Sequence, residues 1–328
     1  MQTSLTDFTV LKPEIYRPVA QTKLAIFIDF LMGGMVDKFP IAPGEFVPIP
    51  SFKELSGTPD IIGDNYDPQI NKIDPLKDIG VVRHMGKAFG ADDLVQIVTG
   101  LDPNAEIARQ LANYFARYCI QNSFLSVLKG LFSAAGPLYA TNRYSVYADV
   151  ATTHATYAVM TPQVASLGLA KLGDQMSKVR GWVMHSKVVA DLTAAGYILP
   201  SPVQAPVGFD GSGIVSTFLN KPIIMSDTTT TVAGVTSTLY RTFAVVPGAM
   251  ALGIQKDLNP EQDRNKLKKL DYVSTDYHFA AHVRGCKYVY AAVTATANPT
   301  DAMLEAGVSW LLSAESEKFV GVVAIDTN

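Results

Sequence analysis

Residues 77–94 read KDIGVVRHMGKAFGADDL, and two readings compete for them. A Gly-Lys pair, a histidine and adjacent carboxylates suggest a phosphate-and-metal site. DIGVVRHMGK (78–87) reads as a strand instead. A phosphate-binding loop needs a glycine five residues before Gly86 and a hydroxyl directly after Lys87. Those positions hold Val81 and Ala88, so the loop is excluded. The segment reads as a strand that turns through Gly86 and Gly90 toward a helix. Asp92 and Asp93 supply the negative charge favoured at a helix start.

Upstream, FVPIPSF (46–52) has strand composition, but Pro48 and Pro50 have no N–H to give to a ladder. That places it at an edge. About 25 breaker-rich residues follow, with Gly57, Pro59, Gly63, Pro68 and Pro75 among them, a length unusual for a loop inside a compact domain. Strand, excursion and returning strand make a projecting two-stranded hairpin. Such a hairpin is only marginally stable alone, so it leans on something outside its own subunit. Downstream, LDPNAEIARQLANYFARYCIQNSFLSVLKGLF (101–132) has Asp102 as N-cap and Pro103 at the first helical position. Its apolar residues recur at helical spacing, which predicts a spine helix about 40 Å long.

The middle of the chain reads as mixed α/β. Thr161-Pro162 starts a helix running to about Met176. GWVMH (181–185) is a short buried strand, and Ser186 caps a helix stopped by Gly196. FLNKPIIMSD (218–227) contains a strand, and TTTTVAGVTST (228–238) is a polar turn region. LYRTFAVVPG (239–248) and KFVGVVAI (318–325) are strands, and LDYVSTDYHFAAHVRGCKYVYAAV (270–293) is a long strand or a strand pair. The class is α+β, with a separate mixed lobe and no repeat of solenoid length.

Composition narrows the functional classes. Of 328 residues, 17% are charged and 48% hydrophobic, with net charge -3 and a pI of about 6.0. Charge this low fits a large core or a surface covered by partner chains. No basic footprint for DNA is present. Two cysteines, Cys119 and Cys286, exclude a disulfide framework and a four-cysteine zinc site. The apolar run LAIFIDFLMGGMV (24–36) is too short to span a bilayer and contains Asp29. No signal-peptide pattern is visible, and a soluble protein made in the cytoplasm is expected.

The motifs that resemble chemistry dissolve on inspection. HFAAH (278–282) has zincin spacing without the glutamate; it reads as two histidines on one solvent or interface face of a strand. His185-Ser186 lacks a nucleophile elbow. His154 is a lone histidine in an apolar stretch. GFDGSG (208–213) lacks the alternating oxygen ligands of a calcium loop, and KLKKL (266–270) is a solvated basic face. No catalytic residue, cofactor or metal is expected.

The order VPIPSFKELSG, KDIGVVRHMGKAFGADDL, the long helix, VMHSKVVADL, LNKPIIMSD, YRTFAVVPGAMALG, NPEQDRN, HFAAHVRGCKYV and VGVVAIDTN resembles major capsid (coat) proteins of tailed bacteriophages, which have the HK97-type fold. The resemblance implies an N-terminal arm (1–43) and an extended E-loop (44–83). It implies a P-domain (84–150, with spine helix 103–132, joined by strands in 259–300) and an A-domain (151–258). The segment 301–328 has no secure place. It also implies self-assembly into pentamers and hexamers of an icosahedral head enclosing double-stranded DNA without sequence-specific contact. Procapsid maturation would be driven by DNA packaging. Implied partners are a scaffolding protein, separate rather than fused, a portal and decoration proteins. No membrane is implied, and the shell is assembled in the host cytoplasm. Bending is expected at Gly33, Gly34, Gly57 and Gly63. Candidate intersubunit contacts are Phe52, Lys53, Glu54, Lys72, Lys77, Arg83, Lys87, Asp92 and Asp93. Lys53, Lys72 and Lys77 read as solvated lysines rather than cross-linking ones. Two other readings are an encapsulin-like compartment and a soluble α/β enzyme using His185-Ser186 or the 278/282 histidines.

Overall fold

The structure is a computed structural model. It describes residues 35–41, 44–53, 72–92, 114–146, 159–198, 217–227, 238–265, 270–289 and 298–327, with isolated residues and one short strand between these blocks. The expected helix near 23–33, the four glycine hinges, Glu54, Asp93, His154 and GFDGSG lie outside the described residues.

Two sheets flank the spine helix. The first is built on β13 (Leu270–Val283). This strand pairs with β4 (Arg83–Asp92), β11 (Met250–Lys256) and β12 (Glu261–Asn265), and β11 pairs in parallel with β1 (Val36–Pro40). Strand periodicity sorts the faces of β13. Tyr277, Phe279, Ala281 and Val283 are buried in one core with Phe115, Leu125, Leu128 and Phe132 of the helix. Residues 276, 278, 280 and 282 face the other way. There, Ala280 is covered by Val47 and Val82 from the hairpin root.

The helix is helical at residues 107, 110, 111, 114 and 115, widens into one π-turn at Ala116–Gln121, and continues as an α-helix over Asn122–Leu131. Just past the π-turn, Ser123 Oγ donates to the Cys119 carbonyl at 2.5 Å. Such back-bonding accompanies irregular helix turns.

The second sheet has seven strands, ordered β5 (Arg143–Ser145), β16 (Val322–Thr327), β10 (Thr238–Val245), β6 (Gly181–Met184), β8 (Lys221–Met225) and β7 (Thr217–Phe218), with β9 (Thr231–Ala233) beside β10. Its central strands are buried on both faces. Phe243, Val245, Val322 and Ala324 meet the spine-helix core. Ala244, Val323 and Ile325 meet Leu169, Val188 and Leu192 of the two lobe helices. A doubly buried strand needs an unbroken apolar run, which is what FAVV and VVAI provide. The two remaining pairs are β2 (Phe46–Phe52) with β3 (Pro75–Val81), and β14 (Cys286–Tyr288) with β15 (Trp310–Leu312).

Several readings change here. β16 places the C-terminal segment in the lobe sheet, between β5 and β10. β11 and β1 belong to the first sheet, so that sheet draws residues from both the proposed arm and the 151–258 interval. β4 runs straight through Gly86 and Gly90, because ten registered residues on β13 hold it extended; the break lies at Val82 instead. The Ser186–Ala194 helix is capped by His185, whose Nδ1 accepts from Lys187 N–H at 3.1 Å. Thr161 caps its helix through Val164 N–H, as expected. Strands β9, β12 and β15 and the short helix Asp301–Glu305 lay in stretches read as polar or unplaced.

That short helix sits closely along the spine helix, and Gly130 makes the approach possible. A Cβ at Gly130 would run into the Leu304 carbonyl and come within 2.8 Å of the Trp310 indole nitrogen. The indole donates to the same Leu304 carbonyl at 2.8 Å. Gly130→Ala is therefore expected to lower subunit stability by about 1–3 kcal/mol. Urea unfolding of unassembled subunits measures this. An unchanged midpoint would show that the contact is loose.

Candidate assembly interface

The hairpin leaves the body of the subunit as a ribbon. β2 and β3 are antiparallel, from Phe46 opposite Val81 to Phe52 opposite Pro75. Exposure rises along it. Val47 is buried at the root, whereas Phe52 is 72% and Leu55 78% exposed at the far end. Single exposed apolar side chains are ordinary, but a gathered group of them marks a contact surface. Ile73 on the returning side is also exposed.

A buried polar latch fixes the root. Asp78 Oδ2 accepts from His282 Nε2 at 2.9 Å and from Gly285 N–H at 2.8 Å, while Oδ1 accepts from Ile79 N–H at 2.9 Å. Burial pushes the Asp78 carboxyl up, but the His282 hydrogen bond and charge, then the two N–H groups, outweigh it. The net value lies below the ordinary carboxylate range. The 278/282 histidines thus part company. His282 is enclosed with Asp78, whereas His278 stacks on His84 across the strand pair, centroids 4.3 Å apart. Burial, then the neighbouring His84, hold His278 below its usual value.

Two further polar ties lock the elements that carry the hairpin. Arg83, the first residue of β4, is buried; its Nη1 donates to Ser123 Oγ at 2.6 Å and meets Asp301 Oδ1 at 2.8 Å. Asn122 Nδ2 donates to the other Asp301 oxygen at 2.9 Å. The second tie is deeper. Asp326 is fully buried and receives Arg241 Nε at 2.6 Å, Arg241 Nη2 at 2.9 Å and Arg143 Nε at 2.8 Å. Arg241 Nη1 also donates to the Phe132 carbonyl at the end of the spine helix, 3.0 Å away. One carboxylate so joins β5, β16 and β10 to the helix terminus.

The candidate contact residues divide accordingly. Phe52, Lys53, Lys72, Lys77 and Lys87 are exposed. Lys53 pairs with Asp74 across the hairpin at 3.4 Å, a solvent-exposed pair of small energetic weight. Asp92 ends β4 opposite Leu270. Arg83 is the correction: its charge is spent inside the subunit, because the spine helix and Asp301 close over it. The sequence reading missed Asp78, Arg143, Arg241, Asp301 and Asp326. The one visible signal was charge inside otherwise apolar strands, LYRTFAVV and VVAID.

Among the described residues, no group of three His, Cys, Asp or Glu side chains could hold a metal, and no helix is long and apolar enough to cross a membrane. Burial pushes the Cys119 thiol up to about 11 and raises Cys286 as well, so both are thiols rather than nucleophiles at neutral pH. The arrangement fixes a projecting arm on a rigid base.

Residues 97–323 match the family model described as major capsid protein 13-like (Gp13-like). The major capsid protein of Bacillus phage SPP1 is 27% identical over 320 residues, covering 94% of this chain and 93% of that one. The capsid of Ralstonia phage GP4 superposes with a TM-score of 0.61 at 13% identity, over 89% of this chain and 87% of that one. The capsid of cyanophage P-SCSP1u gives 0.54 at 13% identity, over 76% and 83%. At such identities the structural likeness speaks for the fold.

Proposed function

The chain belongs to the major capsid protein 13-like family and has the HK97-type capsid fold, and from that membership we propose how its parts build a shell. Its copies close into the icosahedral head of a tailed bacteriophage around double-stranded DNA. The β2–β3 hairpin is the E-loop and lies across an adjacent subunit. The first sheet with the spine helix is the P-domain, and the seven-stranded sheet with its two helices is the A-domain. Residues before β1 form the arm. Scaffolding, portal and decoration proteins are the partners of assembly in the host cytoplasm. The role is structural, with no chemical turnover.

The observation that carries this reading is the hairpin: a ribbon locked at its root by a buried latch and apolar at its exposed end. A two-stranded ribbon of this kind gains stability from a surface to lie on, and a second copy supplies it. Net charge of -3 suits a wall that must not hold phosphate by counterion release. Negative-stain microscopy of the protein, purified alone and with the products of neighbouring genes, tests the proposal. Shells or capsomer rings are expected. A monomer or dimer under every condition would overturn it.

A further inference from the structure

The hydrogen-bond parity of the hairpin decides how it can meet a neighbour. In an antiparallel pair, opposed residues alternate between those that bond each other and those whose N–H and C=O point away. Val82 N–H donates to Glu45 O at 2.9 Å and Lys53 N–H to Asp74 O at 3.1 Å, one at each end of the ladder. With the register of β2 and β3, the odd-numbered residues of β2 are the bonded ones. Phe46, Pro48, Pro50 and Phe52 therefore turn their backbone outward. Pro48 and Pro50 have no N–H. Between Phe46 and Phe52, about 20 Å apart along the strand, this edge offers carbonyls and no donor.

The opposite edge is closed in part by other means. On β3 the outward residues are Pro75, Lys77, Ile79 and Val81. Pro75 has no N–H, and that of Ile79 is taken by the Asp78 carboxylate, whose other oxygen is held by His282 and Gly285. The Asp78 bonds tie this half of β3 to its own subunit. The side chains of the same alternate residues share one face. Beyond the root, Pro48, Pro50, Phe52, Pro75 and Lys77 on that face are all exposed.

We infer that the β2 edge of the hairpin is closed to strand addition and that the hairpin grips a second copy of this chain through the side chains of that proline face, with Pro48 and Pro50 acting as guards of that edge. The inference rests on the shell-forming role proposed above. The prolines do two jobs. They remove the donors a stray strand would need, and they hold the face rigid, so little ordering cost remains when it docks. The apolar face with one cation, Lys77, asks for an apolar seat rimmed by a carboxylate.

A Pro48→Val, Pro50→Val double variant of the full chain restores both donors and keeps the face apolar. Regular particles are expected to fall roughly tenfold, replaced by aggregate that binds amyloid dyes, while soluble subunits keep the parent melting temperature. Unchanged particle yield without aggregate would overturn the guard role. A main-chain-resolved structure of parent particles tests the docking mode independently of any variant. Side-chain contact without a ladder supports it, and a neighbour's strand hydrogen-bonded to β2 overturns it while leaving the shell reading intact. If the parent chain forms no particles at all, the shell reading fails and this inference falls with it.

Discussion

Leucine in place of Arg241 destabilises the subunit by about 3–5 kcal/mol. The size follows from what is left behind. Asp326 is wholly enclosed and holds three short hydrogen bonds, two of them from Arg241. Leucine leaves that carboxylate with Arg143 alone and leaves the Phe132 carbonyl without the guanidinium donor it has now. A buried charge stripped of its partner is far more costly than the intact pair is stabilising. The same asymmetry predicts partial rescue: Arg241→Leu with Asp326→Leu should be more stable than Arg241→Leu alone. Thermal or urea melting of unassembled subunits is the right measurement, since shells unfold irreversibly. Additive losses in the double variant would show that the two groups act separately.

Alanine at Asp78 has the second largest expected effect, about 3 kcal/mol. It removes the acceptor of His282 Nε2 and of Gly285 N–H, both at the hairpin root. The loss should appear as faster amide exchange at Gly285 and Ile79 ahead of global unfolding. Its pH dependence has a definite sign. The folded Asp78 carboxyl lies below its ordinary value, so its contribution is fully present above about pH 4. It fades as pH falls through the lowered folded value. The gap between parent and Asp78→Ala should therefore shrink as pH falls below about 4. A gap that persists in strong acid would mean the carboxylate charge is not what holds the root.

The fold was legible where local pattern and tertiary role agree. FVPIPSF declared itself through strand composition and through prolines that only an edge tolerates, and its returning strand was read from 78–87. GWVM read as a buried strand and KFVGVVAI as a strand, and Gly196 ended its helix as expected, with φ +74°. What stayed hidden depends on distant residues. β12 is five polar residues, EQDRN, made a strand by pairing to β13. The Asp301–Glu305 helix is too short for any periodicity and stands because Asn122, Ser126 and Lys129 hydrogen-bond its Asp301 and Glu305. Nothing local to VVAID says that its strand lies between β5 and β10.

The exposure of the candidate contact residues was legible in part for the same reason. Phe52 and the lysines look exposed in sequence and are exposed in the structure. Arg83 looks the same in sequence, yet Ser123 and Asp301, 40 and 218 positions away, enclose it. His278 and His282 occupy equivalent strand positions, and only the hairpin lying over one of them distinguishes their roles.

The central claim is that the hairpin of one subunit rests on another. A photoactivatable amino acid at position 52, 72% exposed in the single subunit, tests it most directly. Irradiated particles should yield a covalent adduct of two chains, joined from the hairpin to a different subunit, and dissociated subunits should not. Intact particles that give only monomer, or adducts confined within one chain, would contradict the account.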